Sequence, residues 1–385
     1  MKPAVLAGKL LKALVGLALM GVGVAGFFTV SATFADYPVI PTREDVPGWV
    51  RGAFHVHTTR SDGRGTVEEV VAAAKAAGLR FVVLTDHNDF SPREPAYMEG
   101  VLLVPGVELS TAHGHLVAFG MERPLEGVRA WMDGGEMEAA VEKAGGVSVL
   151  AHPVQRRNPW RHDEAARRAD GFELYSADTF FRDALRHPVS RLLPAVGASL
   201  GQPVHGVMLL VGPQPEPTAR LLELTREKPR VALCSHDAHG LPRYEDVFQA
   251  LAMYLPPSEG STPQPLPEDP RAAADVVVKG LASGRALCAF RALGEPEGFA
   301  LEGLDAERRE ARVGDVLTVR LPPHVGDQVR IEVRGAGRLR PDGRSVELVE
   351  AGAVQVEAWV KAPGSFFGTE WRPWLVPSPI RVLPR

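Results

Sequence analysis

An α/β body of alternating strands and helices, followed by a small antiparallel β domain, is the architecture this sequence predicts. Two hydrophobic periods carry that expectation. From Val50 onward, short continuously apolar runs alternate with stretches of helical spacing, the rhythm of strands covered by helices on both faces. From about Arg312, apolar and polar residues alternate singly between Gly, Pro and Asp turns, as in strands with one buried face. A third feature precedes both. Ala13 to Ala35 contains no charged residue, and ~20 such residues suffice to cross a bilayer.

The elements follow in order. Lys2, Lys9 and Lys12 flank the apolar segment and favour a cytoplasmic start with the rest of the chain outside. Small residues around Thr33-Phe34-Ala35 would also suit a signal peptidase. The segment is long for a signal core, so a retained anchor over residues 1–35 is the preferred expectation. Either reading exports the body. Gly21-Val22-Gly23-Val24-Ala25-Gly26 matches a dinucleotide fingerprint only formally, because no strand precedes it and no amphipathic helix follows. Residues 36–49 read as a linker.

Val50 to Val56 is the first expected strand. A helix then starts at Thr66, with Glu69 completing a capping box and Gly78 ending it. Further strands are expected at Phe81 to Leu84, Val101 to Val107, Leu116 to Phe119, Val147 to Leu150, Phe172 to Tyr175, Val231 to Cys234 and Ala286 to Phe290. Helices are expected at Glu136 to Ala144, Tyr244 to Tyr254 and Ala272 to Leu281. This βα alternation favours a parallel barrel or barrel-like sheet over a sandwich. Phe180 to Arg230 shows no clear period, and Pro256 to Pro270 reads as a proline-rich loop. The body is expected over 50–300 and the β domain over 301–385, with strands at Val316 to Leu321, Val329 to Val333, Val346 to Val349 and Val354 to Val360.

Composition narrows the functional classes. A formal charge of −4 over 385 residues argues against a general nucleic-acid binder, which would be basic. Two cysteines, Cys234 and Cys288, make no disulfide framework. Both lie in apolar runs and read as buried thiols.

The chemistry gathers at strand ends. His55 and His57 are two apart on one strand, so both rings should face one side. Ser61-Asp62-Gly63 turns just beyond. Thr85-Asp86-His87-Asn88, Gly106-Val107-Glu108, Gly114-His115, Ala151-His152-Pro153 and Ser235-His236-Asp237-Ala238-His239 terminate or open other apolar runs. Parallel α/β proteins collect active sites at strand ends from distant sequence. Burying so many ionisable groups is costly unless cations offset their charge and desolvation.

These segments, in this order over residues 50–290, resemble the PHP (polymerase and histidinol phosphatase) family. The resemblance implies a distorted seven-stranded (β/α) barrel, two or three divalent ions and hydrolysis of phosphate esters. It implies that His55, His57, Glu108 and Asp237 hold one ion. Glu108 would bridge to a second, held with His115 and His152, while Asp62, His87 and His239 surround a third. Mixed nitrogen and oxygen donors suit Zn, Mn or Fe. Glu108, Asp237 and His239 are the candidate catalytic groups, the last two for proton transfer.

Neighbouring residues are read more plainly. His113 shares parity with His115, which fits the family spacing better. His236 and Asp86 are expected to support ligands from behind, and Glu173 reads equally as a rim or a loop-facing carboxylate. His162 and Asp163 sit in a charged, solvated helix stretch. Arg60, Arg64 and Arg156, with Arg157 beside it, are candidates to fork onto substrate phosphate. The expected substrate is a phosphorylated small molecule or an envelope-derived phosphoester, with the membrane as partner if the anchor is retained. Amide or cyclic-ester hydrolysis, or a non-catalytic exported binding protein, are the competing readings.

Overall fold

The computed structural model describes residues 3–33, 35, 48–255, 266–305, 308–322, 328–365 and 368–385. The linker after residue 35, the cleavage-site Phe34 and most of the proline-rich loop lie outside the described residues.

The chain opens with a long helix, α1 (Pro3–Thr33), that contains the whole glycine run. The body follows as β1 (Val50–Val56), α2 (Val67–Ala76), β2 (Phe81–Leu84), β3 (Ala96–Met98), β4 (Val101–Thr111), β5 (Gly114–Phe119), α3 (Gly134–Lys143) and β6 (Val147–Ala151). Then come α4 (Asp163–Arg168), β7 (Gly171–Ser176), α5 (Ala177–Arg186), a π-helical turn (Pro188–Leu192), α6 (Leu193–Ser199), α7 (Pro203–Leu210), α8 (Pro215–Thr225) and β8 (Val231–Ser235). After α9 (Tyr244–Ala250), β9 (Ala252–Leu255), α10 (Pro270–Ala282) and β10 (Leu287–Ala289), the remaining strands are β11 (Ala300–Glu302), β12 (Glu310–Arg312), β13 (Val316–Arg320), β14 (Val329–Gly335), β15 (Gly337–Leu339), β16 (Ser345–Leu348), β17 (Gly352–Pro363), β18 (Thr369–Pro377) and β19 (Ile380–Leu383).

Local chemistry explains the boundaries. Thr66 caps α2 by accepting from Glu69 N while the Glu69 carboxylate accepts from Thr66 N, the reciprocal box read from sequence. The buried face of α2 carries Val70, Val71 and Ala74, its period-3.6 apolar stripe.

The body is one large mixed sheet. β1, β2 and β4 are parallel, and so are β6, β7 and β8. Between these groups β5 is antiparallel to both β4 and β6, which departs from an all-parallel expectation. Only Ala112 and His113 separate β4 from β5, and two residues can make a hairpin but not a parallel crossover. At the other end, His236 N donates to Phe54 O at 3.0 Å and His57 N to Ala238 O at 3.0 Å, tying the end of β8 to β1.

Two further expectations are corrected, and one unread segment is filled in. The helix expected to Tyr254 stops at Ala250, and Ala252–Leu255 instead pairs antiparallel with both β1 and β10. A four-residue apolar run reads the same as helix or strand until its neighbours are known. Residues 180–230 hold most of α5 and all of α6 to α8, short helices separated at Pro188, Pro203 and Pro215 so that no single period runs through the segment. Cys234 and Cys288 are joined as a disulfide rather than held as thiols, with Cα atoms 5.6 Å apart. β8 and β10 bring them together across 54 residues, a proximity that spacing cannot reveal.

The C-terminal strands form two groups, antiparallel except for the parallel pair of β12 with β19. β11, β13, β16 and β15 make a separate four-stranded sheet. β12, β14, β17, β18 and β19 belong to the large sheet, because β18 pairs with β10. Hydrogen bonding is therefore continuous from the body into these strands.

Candidate metal centre

Three cluster residues stand on unusual backbone. His55, His152 and Asp237 have φ of 65°, 32° and 43°, a left-handed conformation costing roughly 1–3 kcal/mol at each non-glycine position. At His55 the β1–β2 register shifts between Ala53 and Val56. Simple strand parity therefore does not explain how His55 and His57 converge; an irregularity in the strand turns His55 toward the cluster. The following turn is held by Gly63 N donating to Thr58 O at 3.0 Å. A Cβ on Gly63 would lie 2.5 Å from the His57 carbonyl, so only glycine fits.

Side chains from seven segments meet at the strand ends. His55 Nε2 and His57 Nε2 are 3.0 Å apart, and both lie 3.1 Å from Glu108 Oε2. Asp237 Oδ1 is 3.5 Å from the first ring and 3.3 Å from the second. On the other oxygen of Glu108, His115 Nδ1 approaches to 2.8 Å and His152 Nε2 to 3.1 Å. His87 Nδ1 sits 3.2 Å from Glu108 Oε2. Asp62 lies 3.3 Å from His239 Nε2, 3.5 Å from His57 Nδ1 and 3.8 Å from His87 Nε2. Thus His55, His57, Glu108 and Asp237 form one group, His87, Glu108 and His115 a second, and His57, Asp62, His87 and His239 a third.

The arrangement fits divalent cations. Donor atoms ~3.0–3.5 Å apart match the edges of a coordination shell with arms of ~2.0–2.2 Å. Glu108 Oε2 and His87 Nδ1 are buried and lack a hydrogen-bond partner. Two ring nitrogens facing each other across 3.0 Å need a proton or a cation between them.

Electrostatics follow from this crowding. Burial alone would lower the His57 imidazole, but hydrogen bonds to Asp237 and Glu108 outweigh it and raise it to about 9. His152 behaves alike, raised to about 9 by Glu108 and Asp237 against its burial. His55 is also raised, with Glu173 the strongest opposing charge to desolvation. Burial pushes Glu108 up, yet the surrounding imidazoles hold it well below the ordinary carboxylate range. His87 is lowered by burial. Opposite charges held together in this way at the floor of a cleft make these residues functional-site candidates.

Supporting contacts surround the ligands. Glu173 is buried; its Oε1 lies 2.5 Å from His55 Nδ1 and its Oε2 accepts from His152 N at 2.8 Å. One carboxylate thus fixes the tautomer of one imidazole and the backbone of another. His236 is neutral and held low, to about 4, by burial. Its Nδ1 lies 3.2 Å from Phe54 N and its Nε2 3.0 Å from Leu251 O. Asp86 accepts from Thr58 N, Thr58 Oγ1 and Ser61 Oγ, so it fixes the loop after β1 rather than a ligand ring.

The arginines divide differently from the sequence reading. A cavity of about 340 Å³ over the cluster is lined by Arg157 and Arg182, with Asn158 and Asp178. Arg156 lines an adjoining cavity that shares His152. Arg60 and Arg64 are exposed on the loop after β1 and line neither. Arg182 pairs with Asp178 on α5, within the segment whose period was unreadable. His113 stands apart from the cluster, beside Asp133 and His162.

Buried carboxylates set among imidazoles at the ends of sheet strands define a divalent-metal site of a hydrolase. Residues 53–228 match the model of the PHP domain, and that segment supplies the clustered ligands His55, His57, Asp62, His87, Glu108 and His115. The chain is a metal-dependent hydrolase of phosphate esters. The match ends before Asp237 and His239, which the fold returns to the same point. No curated protein matches the chain. Among solved structures it is similar to a two-domain protein of Bacteroides vulgatus containing a PHP-like metal-dependent phosphoesterase, at 15% identity over 88% of this chain and 99% of that one, TM-score 0.42. It is also similar to an amidohydrolase of Chromobacterium violaceum, at 17% identity over 35% and 83% of the two chains, TM-score 0.25. A third is a lesion-specific endonuclease of Pyrococcus furiosus, at 11% identity over 54% and 52%, TM-score 0.33.

Proposed function

We propose that this chain hydrolyses phosphate esters outside the cytoplasm at a site of two or three divalent ions held by nine side chains. The observation that carries this reading is Glu108, a buried carboxylate within 3.2 Å of five imidazoles from four different segments. His55, His57, Glu108 and Asp237 would hold one ion, Glu108, His115 and His152 a second, and Asp62, His87 and His239 a third. Bound divalent ions supply a water of lowered pKa and positive charge toward the phosphoryl oxygens.

The chain's own residues do the rest. Glu173 keeps the His55 ring turned toward the cluster. Arg157 and Arg182 at the cavity wall offer planar forks for phosphoryl oxygens. His239 Nδ1 lies 2.8 Å from the Asp237 carbonyl oxygen and donates its proton there, which leaves Nε2, facing Asp62, as the atom that ligates or carries a proton. The bonds that tie β8 to β1 support a closed seven-stranded ring, β1-β2-β4-β5-β6-β7-β8, with the site at its mouth.

The disulfide supports export, since such bonds persist in oxidising compartments. So does the span Ala7–Thr33, long and apolar enough to cross a membrane. Elemental analysis of the purified protein, paired with a screen of phosphomonoesters, phosphodiesters and amides, tests the reading. Stoichiometric divalent metal with phosphoester turnover is expected; a metal-free protein, or turnover of amides alone, would overturn it.

A further inference from the structure

α1 is fitted to the body along a specific seam. Thr29 Oγ1 donates to Gly197 O at 2.8 Å, and Phe28 and Ala32 are buried. A Cβ at Gly197 would come 2.6 Å from Phe28 Cβ, and one at Gly201 would come 3.0 Å from Thr29 O. Two small residues four apart are the usual device for close approach of a membrane helix. Cleavage after Ala35 would strip this seam bare, so the contact argues for a retained helix.

The seam also sets a depth. It begins at Ala25. The roughly 18 residues from Ala7 to Val24 rise about 27 Å at 1.5 Å each, close to the ~30 Å hydrocarbon core. The part of the body that α1 touches therefore lies at the outer bilayer interface. Beside it the surface is apolar: Val189 is 76% exposed, Leu200 70% and Val196 49%. Apolar side chains this exposed, continuous with a membrane-length helix, are what an interfacial segment presents to lipid.

A second cavity, of about 190 Å³, is lined both by His152 and Gln155 and by Arg186, His187 and Arg191, with Asp183 and Glu216 beside them. His152 and Gln155 also line the cavity over the cluster. Arg186, His187 and Arg191 flank Val189 in sequence, with Arg186 beside Asp183, so basic groups of this cavity adjoin the apolar patch.

We propose that the substrate is a phosphoester borne by a membrane lipid. Its apolar part stays in the bilayer at Val189, Val196 and Leu200, and its head group enters between Arg186 and Arg191 toward His152. This rests on the phosphoesterase reading above. Water contributes the oxygen that bonds to phosphorus, the P–O ester bond to the lipid breaks, and the leaving oxygen takes the proton. A lipid alcohol is released.

The test uses the full-length, metal-loaded protein in phosphatidylcholine nanodiscs containing phosphatidic acid or phosphatidylglycerol. p-Nitrophenyl phosphate and bis-p-nitrophenyl phosphate serve as soluble esters. The triple variant V189E/V196E/L200E should lose at least tenfold in turnover of the lipid ester and stay within twofold on the soluble ones. Equal loss on both, no loss on either, or wild-type turnover of soluble esters without lipid esters would overturn the proposal. No turnover of any ester would instead overturn the phosphoesterase reading. A nitroxide on Leu200→Cys gives a readout free of activity, since neither native cysteine is free. It should be quenched by oxygen in preference to a water-soluble nickel chelate, with Val349→Cys showing the reverse. Identical behaviour at the two positions would also overturn the proposal.

Discussion

Among the described residues, two histidine–carboxylate clusters invite comparison, and their geometry differs more than their composition. Around Glu108, ring nitrogens and carboxylate oxygens face one another, and buried atoms are left without hydrogen-bond partners. In the second cluster, His113, Asp133 and His162 also come close. There, Gly134 N donates to His113 Nδ1 at 3.1 Å and Ala165 N to His162 Nδ1 at 3.2 Å. Asp133 Oδ1 accepts from Gly135 N and Glu136 N. Those acceptors are already occupied by the first amides of α3 and α4, which the helices themselves cannot satisfy. Ligand-type residues in proximity therefore do not make a metal site; unoccupied donors converging on one point do.

The largest effect that can break this distinction is in turnover. Glu108→Gln and Asp237→Asn keep size and shape but remove the charges that balance the imidazoles and cations. Each should lower kcat on the order of 10³-fold, with the circular dichroism spectrum unchanged. His113→Ala should leave kcat within twofold. A His113 variant as impaired as Glu108→Gln would merge the two clusters into one functional unit.

Glu173 tests whether support from behind the ligands matters. Its carboxylate lies against His55 Nδ1. Glu173→Gln should weaken metal affinity by about 10–100-fold, measured by competition with a chromophoric chelator, while kcat at saturating metal stays near that of the parent. A collapse of kcat at full metal occupancy would mean that Glu173 acts on the substrate instead.

Metal removal comes next. A cation that binds only the folded state adds about 2.7 kcal/mol at 100 times its Kd. A chelator should therefore lower the melting temperature of the parent and of His162→Ala equally, and leave that of Glu108→Gln nearly unmoved. Loss of chelator sensitivity in His162→Ala would place a cation in the second cluster.

Most of the nine candidate ligands could be read from sequence because they lie at the ends of apolar runs, whereas Asp62 was read from its Ser61-Asp62-Gly63 turn. The means of their convergence was not. Nothing in Phe54-His55-Val56 announces a left-handed residue inside a strand, because that conformation is imposed by the surrounding sheet. Glu173 was ambiguous for a similar reason: every position of β7 is buried, so alternation cannot assign it a face. Arg182 lay in a segment of short helices interrupted by prolines, where no single period runs far enough to be read. The expected boundary near residue 301 came from a true change of period, but β18 crosses back to β10. A pairing between strands about 90 residues apart in sequence leaves no local mark. The disulfide is the same kind of long-range fact.

The smallest expected effect sharpens the comparison from the structural side. If the second cluster exists to cap helices, removing Asp133 should cost stability and nothing else. Asp133→Ala leaves Gly135 N and Glu136 N at the start of α3 without their side-chain acceptor. The melting temperature should fall by roughly 2–4 °C, the reach of a lost N-cap in a domain of this size. Asp133→Asn should recover most of that, because an amide oxygen caps almost as well as a carboxylate. A cation would distinguish the two oxygens sharply, since the amide is neutral and a weaker donor. Recovery by asparagine with metal content unchanged thus fits a cap, whereas asparagine as damaging as alanine, together with a lost equivalent of metal, would fit a ligand.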